Sequence, residues 1–187
     1  QSPRRKQLLE QICVRYELLL ATPDEDAESL ERVIPGEAPL TYVKRVTQLK
    51  LEAAVKRMQA RGLKPAPVLC ADTTVALGRV ILGKPENEQD AVRILKTLSG
   101  QTHRVLTAVA VASGRRRLLS VSVSKVTFAP MKLSEIKAYV ASGEPFGKAG
   151  AYGVQGMAAA YISDIQGSYT GIMGLPLFET SVLLKNI

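Results

Sequence analysis

An apolar run from Val68 to Leu77 constrains the fold of this sequence more than any other segment. An apolar run of this kind, interrupted here by Asp72, Thr73 and Thr74, is typical of a strand that is covered on both faces, so other elements must pack on each side of it. Amphipathic helical spacing at Pro39–Arg61 and at Glu86–Leu98 flanks the run. We therefore predict an α/β fold in which helices flank a twisted sheet.

The rest of the chain divides between hairpins and crossover helices. Arg104–Ala112 and Leu118–Phe128 are predicted to form a hairpin around Ser113-Gly114, because serines alternate with valines in its second strand. Such a mixture indicates a mixed sheet within a single domain, residues 1–187. Further strands are predicted at Tyr16–Ala21, Val80–Leu82 and Ala158–Ile165, and further helices begin at Pro3, at Ser134 and at Pro176.

Composition limits the classes of protein to which the chain can belong. It has 187 residues, of which 46% are hydrophobic and 22% are charged, as in an ordinary globular domain. No apolar run approaches the roughly 20 residues that span a bilayer, and the N-terminus resembles no signal peptide, so we expect a cytoplasmic protein. The single histidine, His103, excludes a site with several imidazole ligands. A metal would therefore be held by carboxylates, which favours Mg²⁺ or Mn²⁺.

The formal net charge of +8 is compatible with nucleic acid, an anionic membrane or a polyanionic small substrate. The lysines and arginines are interleaved with acidic residues rather than clustered. Aromatic residues make up only 5% of the chain, so no stacking platform for bases is evident. These features argue against a nucleic-acid-binding protein and for a small anionic substrate.

Three residues carry charge where charge is unfavourable. Arg4 and Arg5 follow Pro3 at a predicted helix N-terminus, where the helix dipole opposes cations and a bound phosphate would resolve the conflict. A solvated surface pair is the alternative. Asp72 interrupts the apolar strand, and a buried carboxylate is costly unless it is paired or binds metal. Its alternative role is to cap a turn.

Four further residues suit nucleotide binding, although each has a structural alternative. Lys84 lies between Gly83 and Pro85, where it could direct a point charge at phosphate. Lys50 on the long helix and Lys148 could equally be solvated lysines. Gln155 lies in a glycine-rich segment that could display its amide to a base edge or form a tight turn.

Taken together, these segments resemble the Maf family over nearly the whole chain. The matching motifs, in order, are S-P-R-R at 2–5, A-D-T-T-V at 71–75, G-K-P at 83–85, L-S-G-Q-T-H at 98–103, K-A-G-A-Y-G-V-Q-G at 148–156 and G-L-P-L at 174–177. Chains of this family usually begin with a short strand and a leucine-alanine-serine run before S-P-R-R. We therefore expect the natural chain to begin upstream of Gln1.

The resemblance implies a Maf/inosine-triphosphatase-like fold and hydrolysis of nucleoside triphosphates to monophosphate and pyrophosphate. Asp72 matches the family's catalytic base, and Glu25 matches an acidic loop position that assists with metal or water. We predict Asp72, Glu25 and Lys84 as catalytic residues, with Asp72 and Glu25 binding Mg²⁺ or Mn²⁺. The predicted substrate-binding residues are Ser2, Arg4, Arg5, Lys50, Thr73, Lys148 and Gln155.

Thr73 and Gln155 match positions linked to substrate choice, and their identity favours pyrimidine nucleotides, dTTP and UTP, and modified pyrimidine nucleotides. An enzyme directed at purine or modified-purine triphosphates is the first alternative. A non-catalytic nucleic-acid-binding or cell-division regulatory protein is the second. The expected partner is the nucleotide, without a membrane or nucleic acid, and the resemblance suggests a homodimer.

Overall fold

A five-stranded sheet forms the centre of the molecule. The structure is a computed structural model that describes residues 2–22, 25 and 29–187. The strand order is β2-β1-β3-β4-β5, and each pair of neighbours is antiparallel. The strands are β1 (Val68–Leu77), β2 (Val80–Leu82), β3 (Thr102–Ser113), β4 (Arg116–Phe128) and β5 (Ile162–Gln166).

The α/β class is confirmed, although the strand pairing differs from the mixed sheet that we expected. The chain turns back at Gly78, so β2 runs antiparallel to β1. A helix then carries the chain across β1, and β3 pairs with the other edge of that strand. β2 and β3 are therefore parallel to each other but are not neighbours. The chain therefore makes the crossover that the sequence indicates, but the two strands that the crossover joins, β2 and β3, do not pair with each other.

Helices cover both faces of the sheet. One long helix packs its apolar residues, among them Val43, Val46 and Leu51, against one face of β1 and β3. The remaining helices contribute to the opposite face, where Leu8, Ile94 and other apolar residues are buried. The helices are α1 (Pro3–Gln11), α2 (Pro39–Ala60), α3 (Glu88–Leu98), α4 (Leu133–Ala141), α5 (Tyr169–Met173) and α6 (Leu177–Lys185). Among the described helices, none is long and apolar enough to cross a membrane.

One predicted strand is wrong, and another is confirmed only in its second half. The segment Tyr16–Ala21 is irregular and lies outside the sheet, and its backbone is tied to α2 where Arg57 donates to the Leu19 carbonyl. The segment Ala158–Ile165 begins with a 3₁₀ turn, Met157–Tyr161, and becomes a strand only from Ile162. In both segments, side-chain contacts or turns satisfy backbone N–H and C=O groups that would otherwise pair with a neighbouring strand of a sheet.

The apolar core encloses the single histidine of the sequence. His103 on β3 is only 1% exposed. Burial disfavours the charged imidazolium and lowers the pKa of His103 to about 4. The unfolded chain would bind a proton near the ordinary histidine pKa of about 6.5, whereas the folded chain would not.

This difference predicts a loss of stability at mildly acidic pH. The contribution is fully present above about pH 6.5, and it falls as the pH drops toward 4, because the unfolded state then binds the extra proton. We expect the free energy of unfolding to decrease by about 2 kcal/mol between pH 7 and pH 5. Urea titrations at both pH values measure this change. His103→Gln should flatten the slope, and an unchanged slope in that variant would assign the effect to other groups.

Candidate active site

A buried ion pair joins β1 to α2. Asp72 is 8% exposed, and its side chain lies on the face of β1 that α2 covers. Lys50 Nζ approaches Asp72 Oδ1 to 2.5 Å, so the carboxylate that interrupts the apolar strand is paired. In the part of the chain that the structure describes, β2 pairs with β1 only from Val75 to Leu77. The outer edge of β1 beside Asp72 carries no strand there.

Glu31 extends this ion pair into a chain of four charges. Its Oε1 accepts from Lys50 Nζ at 2.7 Å, and its Oε2 accepts from Lys84 Nζ at 2.9 Å. Burial alone would raise the pKa of Glu31, but the hydrogen bonds from Lys50 and Lys84 outweigh it and the pKa is lowered. One carboxylate thus bridges two of the lysines that the sequence predicts as phosphate ligands.

The structure places Glu25 in a different ion pair. Arg57 Nε lies 2.8 Å from each Glu25 carboxylate oxygen, and Arg61 Nη2 lies 3.7 Å from Oε1. The hydrogen bond from Arg57 lowers the pKa of Glu25 to about 2. The predicted role of Glu25 in metal or water binding stays a prediction, since the structure does not bring it to Asp72. Two acids of the same predicted loop, Asp24 and Asp26, lie outside the described residues.

Sequence reasoning missed Glu31. Its backbone carbonyl accepts from the Tyr42 hydroxyl at 2.9 Å, which fastens the 3₁₀ turn Ser29–Glu31 to α2. The only sequence signal was the acid-rich stretch between Thr22 and Glu37. That stretch has no periodicity that would tell which acid reaches the lysines.

The two neighbouring arginines of α1 have different surroundings. Arg5 Nε donates to the Gly174 carbonyl at 2.7 Å, and its Nη2 donates to Thr73 Oγ1 at 3.3 Å. Burial lowers the pKa of Arg5, and the charge of Asp72 opposes this effect. Arg4 makes one longer bond, from Nε to the Met173 carbonyl at 3.4 Å. Arg5 is therefore committed to the protein, and Arg4 retains more donors.

Thr73 lies on the face of β1 opposite to Asp72, because successive strand side chains alternate. Its hydroxyl accepts from Arg5 and is also hydrogen-bonded to Thr107, whose Oγ1 is 3.0 Å away. Ser2 precedes α1 as its N-cap residue, but its side chain makes no capping hydrogen bond. The Ser2 hydroxyl is thus not used by the helix.

Glu144 holds the C-terminal end of the glycine-rich segment, residues 148–156. Glu144 Oε2 accepts from the Met157 amide at 2.8 Å, and its Oε1 accepts from the Tyr139 hydroxyl at 2.8 Å. A Cβ at Gly156 would lie 2.3 Å from Glu144 Oε1, so this close approach requires glycine. Gln155 is exposed at the tip of the segment.

Lys148 lies at the beginning of the same segment, and its Nζ donates to the Glu144 carbonyl. Burial lowers the pKa of Lys148, and the positive charge of Arg4 lowers it further. An anion that contacted both cations would relieve this repulsion. The structure therefore joins Lys50, Lys84 and Asp72 through Glu31, and it couples Arg4 electrostatically to Lys148.

Comparison with known proteins assigns the family. A family model described as "Maf-like protein" matches residues 1–187 of this chain. This chain belongs to the Maf family. Divalent-metal dependence is a property of enzymes in this family.

Three similar proteins carry the name dTTP/UTP pyrophosphatase. One from Polaromonas sp. (strain JS666 / ATCC BAA-500) is 65% identical over 185 residues, covering 99% of this chain and 92% of that protein. One from Albidiferax ferrireducens is 63% identical over 186 residues, covering 100% and 93%. One from Cupriavidus pinatubonensis is 60% identical over 185 residues, covering 99% and 92%.

The contrast between the two arginines gives a prediction. Arg5→Ala should lower the free energy of unfolding by about 2–3 kcal/mol, because it leaves the Gly174 carbonyl and the Thr73 hydroxyl without a charged donor. Arg4→Ala should cost less than about 1 kcal/mol. Urea denaturation of both variants measures the difference. Equal destabilisation by the two changes would contradict the structural role of Arg5.

Proposed function

We propose that this Maf protein is a cytoplasmic nucleoside triphosphate pyrophosphatase that hydrolyses dTTP and UTP to the monophosphate and pyrophosphate. The observation that carries this proposal is the buried carboxylate of Asp72, paired with Lys50 and joined through Glu31 to Lys84. A general base stands next to cations that can neutralise a triphosphate. The names of the similar proteins support the same activity and the same substrates.

Lys50 has a double role in this mechanism. In the nucleotide-free protein its ammonium group holds Asp72 and Glu31. A substrate phosphate that attracts Lys50 would release the Asp72 carboxylate. Asp72 then accepts a proton from water while the water oxygen bonds to the α-phosphorus. The bond from the α-phosphorus to the bridging oxygen breaks, and pyrophosphate leaves with its charge neutralised by Lys84 and Arg4.

The residues present are suited to a hard cation such as Mg²⁺ or Mn²⁺. Among the described residues, no group of three or more His, Cys, Asp or Glu side chains could hold a metal. Mg²⁺ commonly uses one or two carboxylates and completes its shell with phosphate oxygens and water, and Asp72 can supply such an oxygen. The cation would withdraw charge from the phosphate oxygens. Glu25 stays the predicted second ligand, and it would first have to leave Arg57.

Gln155 is our candidate for base recognition. Its amide offers one donor and one acceptor, which match the N3–H and adjoining carbonyl of thymine and uracil. Cytosine presents N3 as an acceptor instead. Thr73 cannot act in the same way as a free hydroxyl, because it accepts from Arg5 and is hydrogen-bonded to Thr107, whose own proton goes to the Gly171 carbonyl. We propose that Thr73 contributes by fixing Arg5. The predicted homodimer stays a prediction.

The first experiment identifies the products and the base. With dTTP and Mg²⁺, chromatography should detect thymidine monophosphate and pyrophosphate. Asp72→Asn should lower kcat about a hundredfold or more, since it removes the proton acceptor. Asp164→Asn, the same change at an exposed strand residue, is the matched control. Thymidine diphosphate with orthophosphate as products, faster turnover of purine triphosphates, or a normal rate in Asp72→Asn would each overturn the proposal.

Glu31 gives a second prediction, because its carboxylate occupies the lysine pair that the phosphates need. Glu31→Gln removes this charge and should tighten the binding of pyrophosphate about threefold to tenfold. This is the range expected for a partly exposed ion pair. Calorimetry without metal measures the affinity and excludes effects on a metal ligand. Glu37→Gln, which alters an ion pair with Arg45, is the control. Unchanged or weaker binding in Glu31→Gln would show that Glu31 does not compete with phosphate.

A further inference from the structure

A buried histidine lies outside the chain of charges that the mechanism uses. His103 lies edge-on to Phe128, with ring centroids 5.3 Å apart, and edge-on to Tyr152, at 5.4 Å. The Phe128 and Tyr152 rings also meet at 4.9 Å. Such edge-to-face contacts fix ring orientation as well as burying apolar area.

One hydrogen bond connects this aromatic cluster to the glycine-rich segment. His103 Nε2 lies 2.8 Å from the Tyr152 hydroxyl, in a buried environment. Within the described residues, His103 Nδ1 has no hydrogen-bond partner. The orientation of the His103 ring therefore satisfies the hydrogen bond between Nε2 and the Tyr152 hydroxyl, although it leaves Nδ1 unpaired among the described residues.

The backbone that leads into Tyr152 is strained. Gly150 and Ala151 both have positive φ, at 71° and 60°, and Ala151 is fully buried. A positive φ at a residue with a Cβ costs about 1–2 kcal/mol, so surrounding interactions must maintain it. The Gly150 amide donates to the Gly83 carbonyl at 3.0 Å, which fixes the segment to the residue before Lys84. Tyr152 follows immediately and anchors the segment in the core.

Gln155 follows this anchor after two residues and is exposed. A Cβ at Gly153 would lie 3.3 Å from Lys148 Cε and 3.6 Å from Gln155 Oε1, so the Lys148 and Gln155 side chains both lie beside Gly153. At its far end the segment is held by Glu144, as described above. The position of the Gln155 amide thus depends on two supports, Glu144 after it and Tyr152 before it.

We propose that His103 is a positioning residue for base recognition, which acts through the Tyr152 hydroxyl to hold Gln155 in register with the bound base. This inference rests on the proposed function, because it assumes that Gln155 contacts the base. His103 itself does not touch the substrate. Its effect is on which nucleotide is cleaved, and not on the phosphate chemistry at Asp72.

The test compares base discrimination with stability. Tyr152→Phe keeps the ring and removes the hydroxyl, and it should reduce the ratio of kcat/KM for dTTP to that for CTP about threefold to tenfold. Thr180→Val is the matched control, since Thr180 is fully buried on α6 and its hydroxyl donates to the Pro176 carbonyl next to the same helix. Both variants should lower the melting temperature, but only Tyr152→Phe should change the ratio.

Two further measurements separate positioning from general destabilisation. His103→Gln can place its amide where Nε2 lies and should retain the ratio within about twofold, whereas His103→Met should lose it. The double variant His103→Met/Tyr152→Phe should lose no more discrimination than either single variant, because both remove one interaction. Amide hydrogen exchange of residues 148–157 should be faster in Tyr152→Phe and unchanged in Thr180→Val.

The outcomes distinguish this inference from the proposed function. A protein that hydrolyses none of the nucleotides overturns both. A protein that prefers dTTP, with a ratio that Tyr152→Phe lowers no more than Thr180→Val does, overturns the inference alone. Unchanged hydrogen exchange of residues 148–157 in Tyr152→Phe would likewise overturn it.

Discussion

The pairing of Asp72 with Lys50 is the interaction on which the arrangement of the site depends. An unpaired carboxylate on a covered strand would destabilise the fold by several kcal/mol, so β1 can carry Asp72 only if α2 presents a cation opposite it. Lys50 supplies that cation and also contacts Glu31, which in turn contacts Lys84. One electrostatic requirement thereby connects β1, the long helix α2, the turn before it and the segment after β2.

The alternation of side chains along β1 divides the site into two parts. Asp72 faces α2 and the lysines, whereas Thr73 faces α1 and α5 and is hydrogen-bonded to Arg5 and Thr107. The Thr107 hydroxyl is also bonded to the Gly171 carbonyl at 2.7 Å. In the proposed mechanism the charged first part rearranges when an anion binds, while the second is a hydroxyl and guanidinium network that keeps the N-terminal helix in place. Adjacent residues in a motif therefore need not share a function.

Much of the fold could be predicted because it follows from local periodicity. The bounds of β1 and β2 were predicted correctly, since apolar runs between turn residues determine them. The choice between Glu25 and Glu31 could not be predicted in this way, because it depends on long-range pairing with α2. Lys50 and Arg57 are separated by about two helical turns, or roughly 10 Å, on the face of α2 that these acids reach. If Glu25 and Glu31 exchanged their partners on α2, the segment that carries them would have to shift along the helix by that distance. No local sequence pattern determines that position.

Under the proposed function, in which Lys50, Lys84, Arg4 and Lys148 bind the triphosphate, the charge balance of the site has a consequence for substrate affinity. Lys50 and Lys84 are balanced by Asp72 and Glu31, so this cluster carries no net charge before a nucleotide binds. A triphosphate cannot gain the full attraction of the two lysines, since it must first displace carboxylates that already satisfy them. The excess of positive charge that attracts it comes instead from Arg4 and Lys148 and from the formal net charge of +8. The same balance favours release of pyrophosphate, because the carboxylates return to the lysines as the product leaves. Such a site favours turnover over tight binding, as expected when catalysis depends on stabilising the transition state more than the substrate.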